Sequence, residues 1–334
     1  MTPRERVHQA LRFETTAIVP YHVLFTAPAK RKLAAFLGDP EFERKLGNHL
    51  ATLSHRRAPK WTEVSPGHFA DEWGVVWNRT LDEDIGVVAN RVLPEASLQG
   101  YHLPPPAPAE LLAAYPPFVA EHRDQFRMAS LGLSLFERAW TLRGMDQLLM
   151  DMVESPRFVH ELFEALVAYN LAQVEIALGH DVDGVYFGDD WGSQSGLIMG
   201  PRRWRELIKP HAARMYARVR EAGKCVCIHC CGDVKEILPD LVEIGVQVFN
   251  PFQPETMDVV ETKRRYQGRL AFWGGISVQH LLPHGTPEEV RRETLRLLAE
   301  LGEGGGYIAA PSHAVTADVP AENMVALLET LQSQ

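Results

Sequence analysis

The run Cys225-Val226-Cys227-Ile228-His229-Cys230-Cys231-Gly232-Asp233 holds all four cysteines of the chain beside one histidine. Its apolar start predicts a strand from Cys225 to His229, and strand side chains alternate between faces. Cys225, Cys227, His229 and Cys231 then share one face, and Cys230 turns to the other. His229 and Cys231 project at the strand's end, where Gly232 lets the backbone turn. Imidazole and thiolate are the donors zinc prefers, so this pair can supply two ligands of a metal site. Two ligands do not make a site. A third can come from His313, just past the last predicted strand, or from a carboxylate of Asp189 or Asp190. The plain alternative is packing: Cys225 and Cys227 sit deeper in the strand and are expected in the core, with Cys230 against a helix.

Asp189 and Asp190 offer a second chemistry. Adjacent carboxylates in unlike environments can work as general acid and base, the more buried one with a raised pKa. Equally, one can cap the next helix while the other is solvated. Cys231 joins them as a candidate catalytic group. Trp191, Gln194, Phe252, Gln253 and Trp273 lie close to the same strand ends and are expected to line a pocket. Asp71, on a predicted hairpin, is expected in its wall.

These residues need a scaffold that gathers strand ends. Strands are predicted at 19–25, 128–135, 184–188, 225–229, 246–250, 270–273 and 307–310. Helices are predicted at 3–13, 156–178, 201–222, 234–244, 259–266, 287–301 and 320–331, and residues 28–55 carry helical patterning broken at Gly38-Asp39-Pro40. Residues 69–92 read as a β-hairpin turning at 81–84, and the proline-rich stretch 102–108 as a linker. Strand–helix alternation with short connections means a parallel sheet. Polar residues follow nearly every strand, as expected when a closed barrel collects its strand C-termini around one mouth. The expected fold is therefore an α/β (β/α)8 TIM-type barrel with an N-terminal helical and β-hairpin extension. It forms one domain over residues 1–334, with 60–105 as a hairpin and linker insertion. No Gly-x-Gly-x-x-Gly follows an early strand, and Gly302 to Gly306 precedes a strand, so it reads as a helix stop and turn.

Composition narrows the partners. The 334 residues are 46% hydrophobic, which speaks against disorder and against a membrane protein. A net charge of −9 without a Lys/Arg-rich block repels phosphate backbones, so no nucleic-acid partner is expected. The start Met1-Thr2-Pro3-Arg4-Glu5-Arg6 has no apolar stretch behind its charges, and no apolar run is long enough to span a bilayer. With clustered, free cysteines, these features lead us to expect a cytoplasmic protein.

Over most of its length, and most strongly from Gly184 to Asn323, the chain resembles the uroporphyrinogen decarboxylase-like superfamily, which includes corrinoid-linked methyltransferases. The resemblance rests on Tyr186-Phe187-Gly188-Asp189-Asp190-Trp191-Gly192, His229-Cys230-Cys231-Gly232, Asn250-Pro251-Phe252-Gln253-Pro254, Phe272-Trp273-Gly274-Gly275-Ile276 and Ala310-Pro311-Ser312-His313. It implies a (β/α) barrel. In the methyltransferase branch a His-x-Cys-Gly motif supplies two zinc ligands, matched here by His229, Cys231 and Gly232. That branch takes its third ligand from a cysteine after the last strand, where this chain has His313. The decarboxylase branch carries an early Arg-Gln-Ala-Gly-Arg loop that grips substrate carboxylates. Residues 26–31 here read Thr-Ala-Pro-Ala-Lys-Arg instead.

The resemblance thus implies a zinc-dependent methyltransferase with zinc on His229, Cys231 and His313. Its partners would be a small-molecule substrate and a corrinoid borne by a separate protein, and a homodimer is left open. The alternatives are a metal-free decarboxylase of a smaller acid and a non-catalytic corrinoid or tetrapyrrole binder.

Overall fold

Short β-branched and aromatic runs alternate with helices along most of the chain, and the architecture follows that alternation. The computed structural model describes residues 1–55, 61–80 and 82–334. The chain begins with α1 (Pro3–Leu11), α2 (Ala27–Leu37) and β1 (Leu50–Ser54). Next come β2 (Thr62–Ser65), β3 (His68–Ala70), β4 (Val76–Asn78) and β5 (Val87–Val88), which pair antiparallel in a small separate sheet. The middle of the chain holds α3 (Ala109–Glu121), β6 (Phe126–Leu131), α4 (Phe136–Arg143), α5 (Met145–Glu154), α6 (Pro156–Leu178) and β7 (Gly184–Gly188). A short hairpin of β8 (Gly192–Ser193) and β9 (Gly196–Leu197) leads to α7 (Gly200–Arg203) and, after a π-helical turn, α8 (Lys209–Glu221). Then follow β10 (Cys225–His229), α9 (Leu238–Glu243), β11 (Val248–Phe252), α10 (Val259–Arg265), β12 (Ala271–Ile276), α11 (Leu281–His284), α12 (Pro287–Gly302), β13 (Tyr307–Pro311) and α13 (Ala321–Gln332).

Local sequence sets several of these boundaries. Thr2 and Glu5 form a capping box on α1 with Pro3 in its first turn, and Thr286, Pro287 and Glu289 repeat the device on α12. Asp258 caps α10 through the Glu261 N–H. Gly38 ends α2 in the left-handed conformation at φ 64°.

Seven strands build one parallel sheet in the order β1-β6-β7-β10-β11-β12-β13. The sheet curls until residues 20–25 reach both edges. On the β13 side, His22 donates its N–H to Ala309 O at 3.0 Å, and Ala309 donates to Pro20 O at 2.8 Å. On the β1 side, His49 donates to Tyr21 O at 3.0 Å, and the Asn48 side chain bonds Val23 N and O at 2.8 and 2.9 Å. The strand expected at 19–25 is therefore present only as isolated parallel bridges, Tyr21 to Ala309 and Phe25 to Val315. Pro20 has no N–H to give, and an asparagine side chain takes the place of a backbone partner at Val23.

Two further expectations are corrected. The helical patterning at 28–55 breaks after Leu37 as expected and resumes only as a 3-10 turn at Phe42–Lys45, while Leu50–Ser54 is the strand β1, paired with β6 in register from Leu50–Phe126 to Ser54–Ser130. A short apolar run reads equally well at either period, so the patterning could not separate them. The hairpin at 69–92 is part of a four-stranded sheet that starts at Thr62. Leu81 of its expected turn and Lys60 at the expected start of the insertion lie outside the described residues.

The inside of the curl is a single cluster of Val7, Leu50, Phe126, Met128, Cys225, Cys227, Val248, Ala271, Trp273, Ile308 and Ala310. Spacing by two on β6, β10, β12 and β13 marks it as one face of the strands, with Val7 of α1 joining it. A larger cluster on the other face receives the helices and Cys230. Each fully buried Leu or Phe there contributes roughly 1.5–3 kcal/mol. The inward face of β10 continues past Cys225 and Cys227 to His229. Among the described residues no helix is long and apolar enough to cross a membrane.

Candidate metal centre

His229 ends β10 and Cys231 follows two residues on, both half-buried. Their near atoms, His229 Nε2 and Cys231 Sγ, are 3.4 Å apart. His313, two residues beyond β13, brings its ring centroid to 6.0 Å from that of His229. One donor atom from each of His229, Cys231 and His313 falls within 4.8 Å of the other two. Zinc bonds of roughly 2.0–2.3 Å at tetrahedral angles separate ligand atoms by about 3.3–3.8 Å, so the His229–Cys231 spacing already suits such an ion.

The other nitrogen of His229 is held from behind. Nδ1 lies 2.7 Å from Asn250 Oδ1 and 3.0 Å from Tyr186 Oη, and the Tyr186 hydroxyl donates to the same Asn250 oxygen at 2.5 Å. Asn250 is fixed in turn by donating its amide to Trp273 O at 3.0 Å. With Nδ1–H committed to Asn250, the Nε2 lone pair faces Cys231. Neither Tyr186 nor Asn250 stood among the candidate site residues. Their signal lies in strand register, since β10 pairs His229 with Asn250 on β11, and β7 sets Tyr186 beside Cys227.

Burial pushes the Cys231 thiol well up, and the neighbouring Asp190 carboxylate adds to the effect. The His313 imidazole stands at the mouth but is crowded. Desolvation first and His229 second hold it below the usual histidine range, with Asp190 pulling the other way. Two imidazoles and a sulfur gathered at one point form a soft donor set that a zinc-type cation fits and that magnesium or calcium does not.

The two aspartates part company. Asp189 is fully buried, and its carboxylate accepts N–H bonds from Leu135 (3.3 Å), Phe136 (3.0 Å) and Glu137 (2.7 Å) at the start of α4, and from Trp191 Nε1 (2.6 Å). Burial lifts this carboxyl to about 6 against the pull of those donors. Asp190 instead accepts the Cys231 backbone N–H at 2.7 Å and stands 3.9 Å from His229 Nε2. Asp190 is thus the carboxylate beside the centre, and Asp189 ties the β7 end to the first turn of α4.

The loops that carry these groups press together closely. A Cβ on Gly232, whose φ is +88°, would come within 2.5 Å of Gly192 C, and one on Gly192 would come within 2.5 Å of Cys231 O. Gln253 secures the same turn by accepting the Gly232 N–H at 2.6 Å.

A cavity of about 150 Å³ opens beside His229 and His313. Tyr186, Asn250 and Trp273 form part of its wall, together with Ala310, Pro311 and Ala314 and with His22 and Leu24 from the segment 20–25. Trp273 is where a pocket wall was expected. Trp191 and Phe252 are instead fully buried, the first edge-on to Trp204 and the second stacked on Phe272. Their size and apolarity drew them into the core. Gln194 is exposed in the β8–β9 turn, and Gln253 acts on the backbone turn as described. Asp71 is buried away from the metal donors, bonded to the N–H groups of Trp73 and Val75, to Trp77 Nε1 and to Arg138. Its neighbours Glu72 and Trp73 line a separate crevice of about 20 Å³ with Leu133 and Arg138.

Comparison with known proteins bears on the family and the fold. The sequence model of the uroporphyrinogen decarboxylase (URO-D) family matches residues 133–334, well over half of the chain. A uroporphyrinogen decarboxylase from Thermus thermophilus is 29% identical over 177 residues, which is 53% of this chain and 48% of that protein. The methylated-thiol–coenzyme M methyltransferase of Methanosarcina mazei is 22% identical over 189 residues, 57% of this chain and 48% of that protein. The chain thus spans about half the length of the named relatives it matches. In fold it is similar to a solved methyltransferase from Methanosarcina mazei, with a TM-score of 0.74 at 18% identity, covering 100% of this chain and 99% of that one.

Proposed function

The chain belongs to the uroporphyrinogen decarboxylase family, and on that premise we propose that it is a zinc-dependent methyltransferase. Its substrate is a thiol or a small methylated molecule, and its methyl-group partner is a corrinoid carried by a separate protein. In this reading residues 20–25 are the eighth stave of a single (β/α)8 barrel domain, and residues 60–105 are an insertion in it. The observation that supports it is the convergence of His229, Cys231 and His313, donor atoms within 4.8 Å, at the C-terminal end of the parallel strands.

His229 through Nε2, Cys231 through Sγ and His313 would hold the ion. Bound zinc supplies Lewis acidity, which lowers the pKa of a substrate thiol or polarises a leaving group. The protein's own part is positional. Asn250 and Tyr186 fix the His229 ring from its Nδ1 side. Asp190 anchors the Cys231 backbone and offers the nearest carboxylate at which a proton can be held. Trp273, Ala310 and Pro311 give the cavity an apolar side. Asp189 contributes through the backbone it secures.

Several relatives are named as decarboxylases, and that is the ground for a second reading, release of carbon dioxide from a small acid. A polycarboxylate needs several cations to hold it. The cavity wall contains no lysine or arginine among the described residues, which speaks against a polycarboxylate substrate and leaves metal dependence to separate methyl transfer from decarboxylation of a small acid.

Metal analysis of the purified protein, paired with Cys231→Ala, tests the proposal. Near-stoichiometric zinc in the native protein is expected, with loss of both zinc and methyl transfer from a methylcobamide in the variant. Full turnover by metal-free protein, or carbon dioxide release independent of metal, would overturn it.

A further inference from the structure

The wall of the 150 Å³ cavity contains one group that the metal reading does not use. His22 is 5% exposed, and its ring has no hydrogen-bond or ionic partner among the described residues. It is not loosely placed. The ring stands edge-on to Trp273 with centroids 5.1 Å apart at 75°, and the backbone N–H is bonded to Ala309 O at 3.0 Å. Its ring nitrogens are not sealed off but keep contact with the open space of the cavity, so a group entering there can replace water as their partner. A ligand in the cavity is the partner this wall can still receive.

We propose that the cavity takes a small uncharged thiol or methyl thioether bearing a hydroxyl or amide group, and that His22 orients it through that group. The inference rests on the cavity being the substrate site of the proposed methyltransferase. Three observations limit the ligand. Space of about 150 Å³ is what a benzene-sized molecule fills, so roughly six heavy atoms lie inside the cavity beside His229 and His313. No Lys, Arg, Asp or Glu lines the wall among the described residues, so a charged tail would lie unpaired in a largely apolar space. Burial lowers the His22 imidazole to about 4, so at neutral pH the ring is uncharged, with one donor and one acceptor nitrogen. Leu24, 49% exposed, stands where the cavity opens to solvent and leaves an approach for the ligand.

Calorimetric titration of the protein as purified, with metal content measured in parallel, separates the possibilities. The probes are 2-mercaptoethanol, 1-propanethiol and 3-mercaptopropionate, used on the native protein, His22→Leu and His22→Gln. His22→Leu is expected to weaken 2-mercaptoethanol about tenfold, the size of one hydrogen bond, and to leave 1-propanethiol unchanged. His22→Gln is expected to recover part of that loss. In the native protein 3-mercaptopropionate should bind at least tenfold more weakly than 2-mercaptoethanol. Equal weakening of both neutral thiols, preference for the anion, or no thiol binding by zinc-replete protein would overturn the role of His22. Zinc absent with these preferences intact would overturn only the metal reading.

Discussion

Asn250 is where the metal proposal can be tested without touching a ligand. Alanine there removes three bonds at once: the acceptor for His229 Nδ1 at 2.7 Å, the acceptor for the Tyr186 hydroxyl at 2.5 Å and the donor to Trp273 O at 3.0 Å. Asparagine 250 is buried, so the groups it leaves behind are not rescued by bulk water. The stability cost is about 1–3 kcal/mol, within what an ordinary domain survives. The larger consequence falls on zinc. Loss of a partner that orients a ligating histidine typically costs 10- to 100-fold in metal affinity, or about 1.4–2.7 kcal/mol. Tyr186 Oη stays 3.0 Å from His229 Nδ1 and can take over the contact, so the lower end, about tenfold, is expected. Asn250→Asp keeps the acceptor and should keep the affinity. Competition against a chromophoric chelator at fixed pH gives the zinc dissociation constant, and near-UV circular dichroism reports whether the fold is intact. A folded Asn250→Ala protein with native zinc affinity, measured beside a strongly weakened His229→Ala control, would refute the reasoning.

Two further outcomes concern the frame. Asp189→Ala is expected to destabilise the protein by about 3 kcal/mol, combining a lost helix cap with a buried Trp191 N–H left unpaired. Urea unfolding measures this, and a shift under about 0.5 kcal/mol would contradict the capping role. His49 lies between the Tyr21 N–H and the Arg6 guanidinium, where desolvation first and Arg6 second lower its imidazole to about 4. Unfolding frees the ring to protonate near 6.5, so the unfolded chain binds more protons between pH 6.5 and 4. Stability from this group is complete above pH 6.5 and falls by roughly 3 kcal/mol as the pH drops towards 4. His49→Leu should flatten that part of the stability–pH curve, and an unchanged slope would count against it.

Most of the parallel sheet was legible because its strands are short apolar runs cut by glycine or proline and separated by patterned helices. β7, β10 and β13 were readable for that reason. β1 was not, because Leu50-Ala51-Thr52-Leu53 follows a helical stretch and suits either period. α3 was hidden by a proline pair, Pro116 and Pro117, that argues against a helix interior. At the centre, alternation along β10 placed His229 and Cys231 on one face. Tyr186 and Asn250 needed the register between strands, which no single segment encodes. Large aromatics misled for a related reason: Trp191 and Phe252 follow strands closely enough to suggest a wall, but only packing decides whether such a ring faces a cavity or the core.

Residues 20–25 meet β13 through isolated bridges and meet β1 partly through an asparagine side chain. That join is the seam of the curled sheet. A join made of isolated bridges has no continuous ladder along it, so local opening of the wall is expected there first. His22 and Leu24 ride on this seam. The loop that carries His313 is tied to the same segment through Phe25 and Val315, so a wall that yields there to an arriving guest also shifts one of the three donors, while His229 and Cys231 stay anchored at the end of β10.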